Sequence, residues 1–301
     1  MRSFVNVNNR KVEIFQKGAH GIPILILTGM GCSFDEWIEV TEALSKTNQV
    51  IMFHRPGLGE SEIGKEQRTT THTVEEVSGL LKNLGIAEPV ILIGHSYGGL
   101  CAQHFKKIYP QKVKSLVLVD STSHDLEKLD TLDLPILNRI SSDKDWLLDC
   151  QTYAGMTEKE LSKIIQPTLI ENQKRLPKPV QERLIKFQQK PNLYKAMKSE
   201  VENWKADARI IKNLRQCSDH PLLVIGRDKG YVIQQGVKEG LPETELILLE
   251  NTWEQLIKEQ VKLSRKSRLM FAEKSGHSVH LDRPDFIITA IEDMIDGLKS
   301  N

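Results

Sequence analysis

No stretch of this 301-residue chain comes near the roughly 20 consecutive apolar residues that cross a bilayer. The opening residues Met1 to Lys11 pass directly into an alternating pattern, without the apolar centre of a secretory leader. A cytoplasmic protein with no membrane span is therefore expected. An excess of charge of one sign is also missing: 41 Lys and Arg face 40 Asp and Glu, for a net charge of +1. That balance gives no overall electrostatic reason to bind nucleic acid or an anionic surface. Cysteine is scarce, and Cys32, Cys101, Cys150 and Cys217 are too widely spaced for a disulfide framework or a CxxC zinc pair. HExxH is absent, and His277 and His280 have only Asp282 nearby as a further donor, so neither a metal nor a cofactor is expected. Internal repeats and low-complexity tracts are missing too. With 39% hydrophobic and 27% charged residues, the chain has the composition of a soluble globular protein with a substantial core.

The apolar pattern divides the chain into three parts. Phe4 to Phe15 alternates about Asn8-Asn9, the pattern of a hairpin with a tight turn. Continuously apolar runs follow at Ile24 to Leu27, Val50 to Phe53, Val90 to Ile93 and Val113 to Val119. Helical stretches separate them at Phe34 to Ser45, Thr71 to Leu84 and Gly99 to Tyr109. Buried strands alternating with helices indicate a mostly parallel sheet covered on both faces. After Asp120 this rhythm stops. Residues 121–220 hold helical patterns at Glu158 to Ile165, Val180 to Phe187 and Tyr194 to Trp204, without a clear buried strand. Trp146, Tyr153, Tyr194 and Trp204 are read there as interior packing before pocket lining. Strands return at Leu222 to Ile225 and Arg268 to Ala272, with helices at Thr252 to Leu263 and Pro284 to Leu298. The expected organisation is thus a first core part at 1–120, a helical insertion at 121–220 and a second core part at 221–301.

Gly94-His95-Ser96-Tyr97-Gly98 fits G-x-S-x-G and lies between a buried strand and a helix. A serine on that sharp turn is exposed, and glycine is required where a side chain would strike the flanking strand and helix. Ser96 is the candidate nucleophile. With it, the chain resembles the α/β-hydrolase superfamily of serine hydrolases with a helical cap, over nearly its whole length. The matching segments are the opening hairpin, Thr28 to Gly31, Arg55 to Ser61, Gly94 to Gly99 and Ser275-Gly276-His277. The resemblance implies an α/β-hydrolase fold, a mostly parallel central sheet with helices on both faces and an inserted cap.

It also implies roles for other residues. His277, following the last strand as Gly-His, takes the place of the general base that an unactivated serine hydroxyl needs. The family usually carries its acid as Gly-x-x-Asp after the strand that resumes the core. Here Gly226-Arg227-Asp228-Lys229 has the aspartate one residue early. Asp120, at the end of the strand after the nucleophile, is where a minority of the superfamily holds the acid. Asp120 is preferred and Asp228 is the alternative, and either keeps the order Ser, Asp, His. The bland readings are a turn cap through Ser121 to Ser123 for Asp120 and a solvated loop charge for Asp228. The oxyanion donors implied are the amides of Tyr97 and Met30, although the usual His-Gly of that loop is Thr28-Gly29 here.

Gly59 to Lys65 matches the first seven positions of a phosphate-binding loop. Its eighth position is Glu66, and Glu60 and Glu62 would lie against phosphate, so nucleotide binding is rejected. The expected activity is hydrolysis of a small-molecule carboxylic ester through an acyl-enzyme. An amidase, peptidase or C–C bond hydrolase using the same residues, or a signalling or partner-binding protein on the same fold, are the alternatives. Oligomeric state and natural substrate are left open by the sequence.

Overall fold

The computed structural model describes residues 1–140, 142–214 and 218–299. Eight strands form one sheet: β1 (Arg2–Val7), β2 (Arg10–Lys17), β3 (Ile24–Leu27), β4 (Val50–Phe53), β5 (Val90–His95), β6 (Val113–Val119), β7 (Leu222–Arg227) and β8 (Ser267–Ala272). Their order is β1-β2-β4-β3-β5-β6-β7-β8. β2 pairs antiparallel with β1 and with β4, and every pairing from β4 through β8 is parallel. The predicted hairpin closes between Val7 and Arg10. Asn8 and Asn9 both take positive φ, at 51° and 63°, as the tight hairpin turn demands.

Strict alternation splits the apolar runs between two layers. Leu25, Leu27, Leu92, Leu116, Leu118 and Val224 point to one face, where they meet Val77 and Leu80 of the Thr70–Asn83 helix and Leu100 and Phe105 of the Tyr97–Ile108 helix. Ile24, Ile26, Ile91, Ile93, Val117 and Ile225 point to the other, against Trp37, Val40 and Leu44 and against Ile287, Ile291 and Ile295 of the Pro284–Lys299 helix. Both faces being covered is why β3, β4 and β5 are buried at every residue.

Between β6 and β7 the described residues form a helical insertion. It contains helices at Pro135–Ile140, Asp143–Ala154, Glu158–Ile164, Glu171–Lys174, Lys178–Gln188 and Pro191–Asn213. The Pro135–Ile140, Asp143–Ala154 and Glu171–Lys174 helices, and the Lys229–Lys238 helix after β7, have no counterpart among the helices the sequence indicates; Pro135–Ile140 and Glu171–Lys174 are too short to show a stripe, and Asp143–Ala154 is weakly periodic. The Thr252 to Leu263 helix starts earlier than expected, at Glu243. Ile136, Ile140, Leu148 and Ile164 of the insertion are exposed, which blurs the stripe a sequence reading relies on. Cys32, Cys101 and Cys150 are free thiols, and Cys217 lies outside the described residues. No helix among the described residues is long and apolar enough to cross a membrane.

Candidate active site

The site lies at the carboxyl ends of the central strands, where a parallel sheet presents its loops. Ser96 follows β5 directly, with φ 50° and ψ −125°, a conformation L-residues rarely hold. The glycines around it permit the turn. A Cβ on Gly98 would come 2.3 Å from the Leu27 carbonyl oxygen, and one on Gly94 would come 2.6 Å from the Gly98 oxygen. One on Gly99 would lie 2.1 Å from Ser121 Oγ, so the helix after Ser96 is packed directly on the turn after β6. Ser96 Oγ has no hydrogen-bond partner among the described residues, including His277. Such contacts often close only once substrate is bound.

Asp120 sits one residue beyond β6, beside Ser96, because His95 and Val119 are paired in the parallel register. The two turns are tied together: the Thr122 amide donates to the Ser96 carbonyl at 3.0 Å, and Gln103 Nε2 donates to the Thr122 carbonyl at 2.9 Å. Asp120 also has positive φ, 38°, and is fully buried. It is no turn cap. Oδ2 lies 2.6 Å from His277 Nδ1 and accepts from Arg227 Nη1 at 3.0 Å. Oδ1 accepts from Trp253 Nε1 at 2.9 Å and from the Arg227 amide at 3.2 Å. Burial opposes its ionisation, but the Arg227 charge and the bond to His277 outweigh burial and hold the carboxyl well below the usual range.

Asp228, the alternative acid, is engaged elsewhere. Its side chain caps the Lys229–Lys238 helix, with Oδ1 accepting from the Tyr231 amide at 3.0 Å and Oδ2 accepting from the Lys274 amide at 2.9 Å. The expectation of a solvated loop charge is corrected: the group joins the turn after β7 to the turn before His277. The structure brings Asp120 and His277 together and leaves Asp228 out.

His277 follows β8 and is partly exposed. His95 Nε2 lies 3.0 Å from its carbonyl oxygen, the two rings are 4.9 Å apart, and the Trp253 ring meets the His277 ring edge-on at 5.7 Å. With Nδ1 on Asp120, the atom left for a substrate or hydroxyl is Nε2.

The loop after β3 is held by a buried arginine. Arg55 donates to the carbonyls of Thr28 at 2.6 Å and Gly29 at 3.0 Å. Its remaining donors pair with Glu200 on the Pro191–Asn213 helix, at 2.7 and 3.2 Å. The described chain has no cis peptide bond, so with the Gly29 oxygen turned to Arg55 the Met30 N–H points the opposite way. Neither the Met30 nor the Tyr97 amide donates a hydrogen bond among the described residues.

Against this loop the insertion leaves a cavity of about 340 Å³, lined by Gly31, Ser33 and Glu36 on the core side and by residues such as Phe187, Leu193, Tyr194 and Met197. Tyr194 thus lines a pocket that its aromatic character alone did not indicate, while Trp204 packs on the main core. Burial, with Asp35 nearby, pushes the Glu36 carboxyl up to about 7.

Arg227, Glu250, Trp253, Arg55 and Glu200 have no role legible in the sequence. Arg227 stands there only as a charge next to Asp228 and Arg55 only as the start of the Arg55 to Ser61 segment, while Glu250, Trp253 and Glu200 carry no local signal, since their partners lie far away in the chain.

Residues 22–148 match the family model described as alpha/beta hydrolase fold. YqjL of Bacillus subtilis (strain 168) is 22% identical over 279 residues, covering 93% of this chain and 85% of that protein. YbdG of the same strain is 26% identical over 118 residues, and that match spans only 36% of its length. The solved structure of a thermophilic esterase from Thermogutta terrifontis superposes with a TM-score of 0.67 at 16% identity, over 99% of each chain. At that identity the superposition shows the fold, and the fold is that of an α/β-hydrolase.

Proposed function

We propose that this chain, an α/β-hydrolase by its fold, is a serine hydrolase that cleaves carboxylic esters through an acyl-enzyme, with Ser96, His277 and Asp120 as its triad. The observation that carries the reading is the 2.6 Å contact of His277 Nδ1 with buried Asp120, on the strand end next to Ser96. Asp120 holds the imidazole tautomer with Nε2 free to take the Ser96 proton. Oγ attacks the ester carbonyl, and the oxyanion is met by the Met30 and Tyr97 amides. His277 returns the proton to the departing alcohol. It then takes a proton from water, which attacks the acyl-enzyme and releases the acid and Ser96. A serine at the nucleophile position argues against the ester-forming aspartate chemistry of epoxide hydrolases and dehalogenases on this fold. Residues 121–220 act as the cap, whose helices meet the loop after β3 around a cavity of about 340 Å³.

A fluorophosphonate probe tests the nucleophile: native protein is labelled at Ser96, while Ser96→Ala and heat-denatured protein are spared. Labelling that survives Ser96→Ala overturns the assignment. A panel of nitrophenyl esters of graded acyl length, run beside aminoacyl amides, tests the substrate class. Ester turnover that depends on Ser96 and varies with chain length is expected. Labelling without turnover on any of them would favour a binding or signalling role.

A further inference from the structure

Behind Asp120 the charges continue. Arg227, whose Nη1 reaches Asp120, also donates from Nε and Nη2 to both oxygens of Glu250, at 2.9 and 2.6 Å. Its guanidinium lies 4.5 Å from the centre of the Trp253 ring, the same side chain that donates to Asp120. Asp120 and Glu250 are buried, and the Arg227 side chain is 11% exposed. Arg227 Nη1 is also only 3.4 Å from His277 Nδ1.

This arrangement poses an electrostatic difficulty for general-base catalysis. An aspartate in a triad stabilises the imidazolium that forms as the serine is deprotonated. A guanidinium on the same carboxylate spreads that negative charge and repels the imidazolium directly. Glu250 answers it: with both its oxygens on Arg227, the buried array of Asp120, Arg227 and Glu250 carries one net negative charge, and protonating His277 neutralises it.

We infer that Glu250 and Arg227 are positioning residues for the reaction, Arg227 fixing Asp120 toward His277 and Glu250 restoring the negative charge that Arg227 takes from the pair. The inference rests on the triad reading above, and its test does not depend on turnover. The other groups facing His277 stay neutral near pH 7: His95 is held well below its usual range by burial, and His280, 4.7 Å from His95, is pushed down to about 3. On the far side Asp282 is engaged by the Gly276 amide, and Asp228 by those of Tyr231 and Lys274.

Histidine-ring NMR on folded, full-length protein follows the His277 titration directly, with Ser96→Ala as background so that no reaction intervenes. Glu250→Gln is expected to move the titration to lower pH by about one pH unit, and Arg227→Gln to higher pH by a similar amount. In the Ser96 enzyme the acid limb of kcat/KM on a nitrophenyl ester follows the same two directions. Glu250→Asp, which keeps the charge, stays near wild type. The Arg227→Gln/Glu250→Gln double variant removes both charges and serves where a single variant fails to fold. Its titration lies nearer wild type than either single displacement. Opposed displacements in the single variants, with the double nearer wild type than either, support the inference; where one single variant fails to fold, displacement of the other in its expected direction, reversed in the double, supports it. Single variants that leave the titration unmoved or move it the same way overturn it, as does a double variant displaced by a full pH unit. A protein without hydrolase activity would still give the NMR answer, so failure of the hydrolase reading and failure of this inference are separable.

Discussion

The turns after β6 and β7 invite comparison because they are neighbours, each ends a buried parallel strand and each carries an aspartate. Asp120 is fully buried and surrounded by Arg227, Trp253 and His277. Asp228 is partly exposed and spends its oxygens on the Tyr231 and Lys274 amides. The lesson is that a carboxylate's work is set by the donors that converge on it. Asp120 faces an imidazole and a guanidinium, whereas Asp228 faces only amides, which hold a helix start and a loop in place.

The difference can be broken most severely at position 120. Asp120→Asn is expected to lower ester turnover by up to about 10⁴-fold with the fold intact, because the imidazole loses its fixed tautomer and the charge opposite the imidazolium. Turnover on a good nitrophenyl ester, with thermal unfolding as control, measures it. An active Asp120→Asn beside a crippled Asp228→Asn would reverse the comparison and return the acid to the turn after β7.

Acid stability sharpens the same contrast. The Asp120 carboxyl is held below the ordinary 3.8 in the folded protein, with burial opposing and Arg227 and His277 prevailing. The unfolded chain therefore binds this proton first. The stabilisation is fully present above 3.8 and is lost as pH falls further, through the folded value. Denaturant unfolding should show a gap between wild type and Asp120→Asn that narrows as pH falls below the ordinary 3.8. A gap that fails to narrow there would contradict the ion pair with Arg227.

The smallest effects belong to Asp228. Asp228→Ala should cost about 1 kcal/mol of stability, the usual consequence of losing a helix cap. It should change kcat by only a few-fold, with any loss traced to movement of the loop before His277. Asp228→Asn keeps an acceptor for the Tyr231 amide and should cost less still.

A titration with the opposite sign is expected at Glu36. Its carboxyl is raised by burial from the ordinary 4.5 to about 7, so the folded protein binds this proton more tightly than the unfolded chain. Stability from this group is complete below 4.5 and is lost as pH rises toward 7. Glu36→Gln should therefore be more stabilising relative to wild type at about pH 8 than at about pH 5, measured by thermal unfolding. An unchanged difference between the two would place Glu36 in water.

Much of the architecture was legible in the order of residues. Ile24 to Leu27 and Val50 to Phe53 are apolar at every position, which only a sheet covered on both faces explains, and alternation then assigns each side chain to a layer. Asn8-Asn9 names its own turn, and the Gly94 to Gly98 motif names the strained serine, since backbone strain and steric clearance are local properties. Weakly periodic helices such as Asp143–Ala154 escaped, because exposed apolar residues and short length erase the stripe.

The sequence by itself therefore determined the sheet, its interruption by helices and the position of Ser96, all of which depend on residues a few places apart. Only the tertiary structure decided which aspartate meets His277, because that choice depends on parallel strand register and on donors drawn from three separate segments. Arg227 and Glu250 are 23 positions apart, and Arg55 and Glu200 are 145 apart. Long-range ion pairs of this kind leave no periodic trace in a sequence, since each partner alone looks like an ordinary surface charge until burial requires that it be paired.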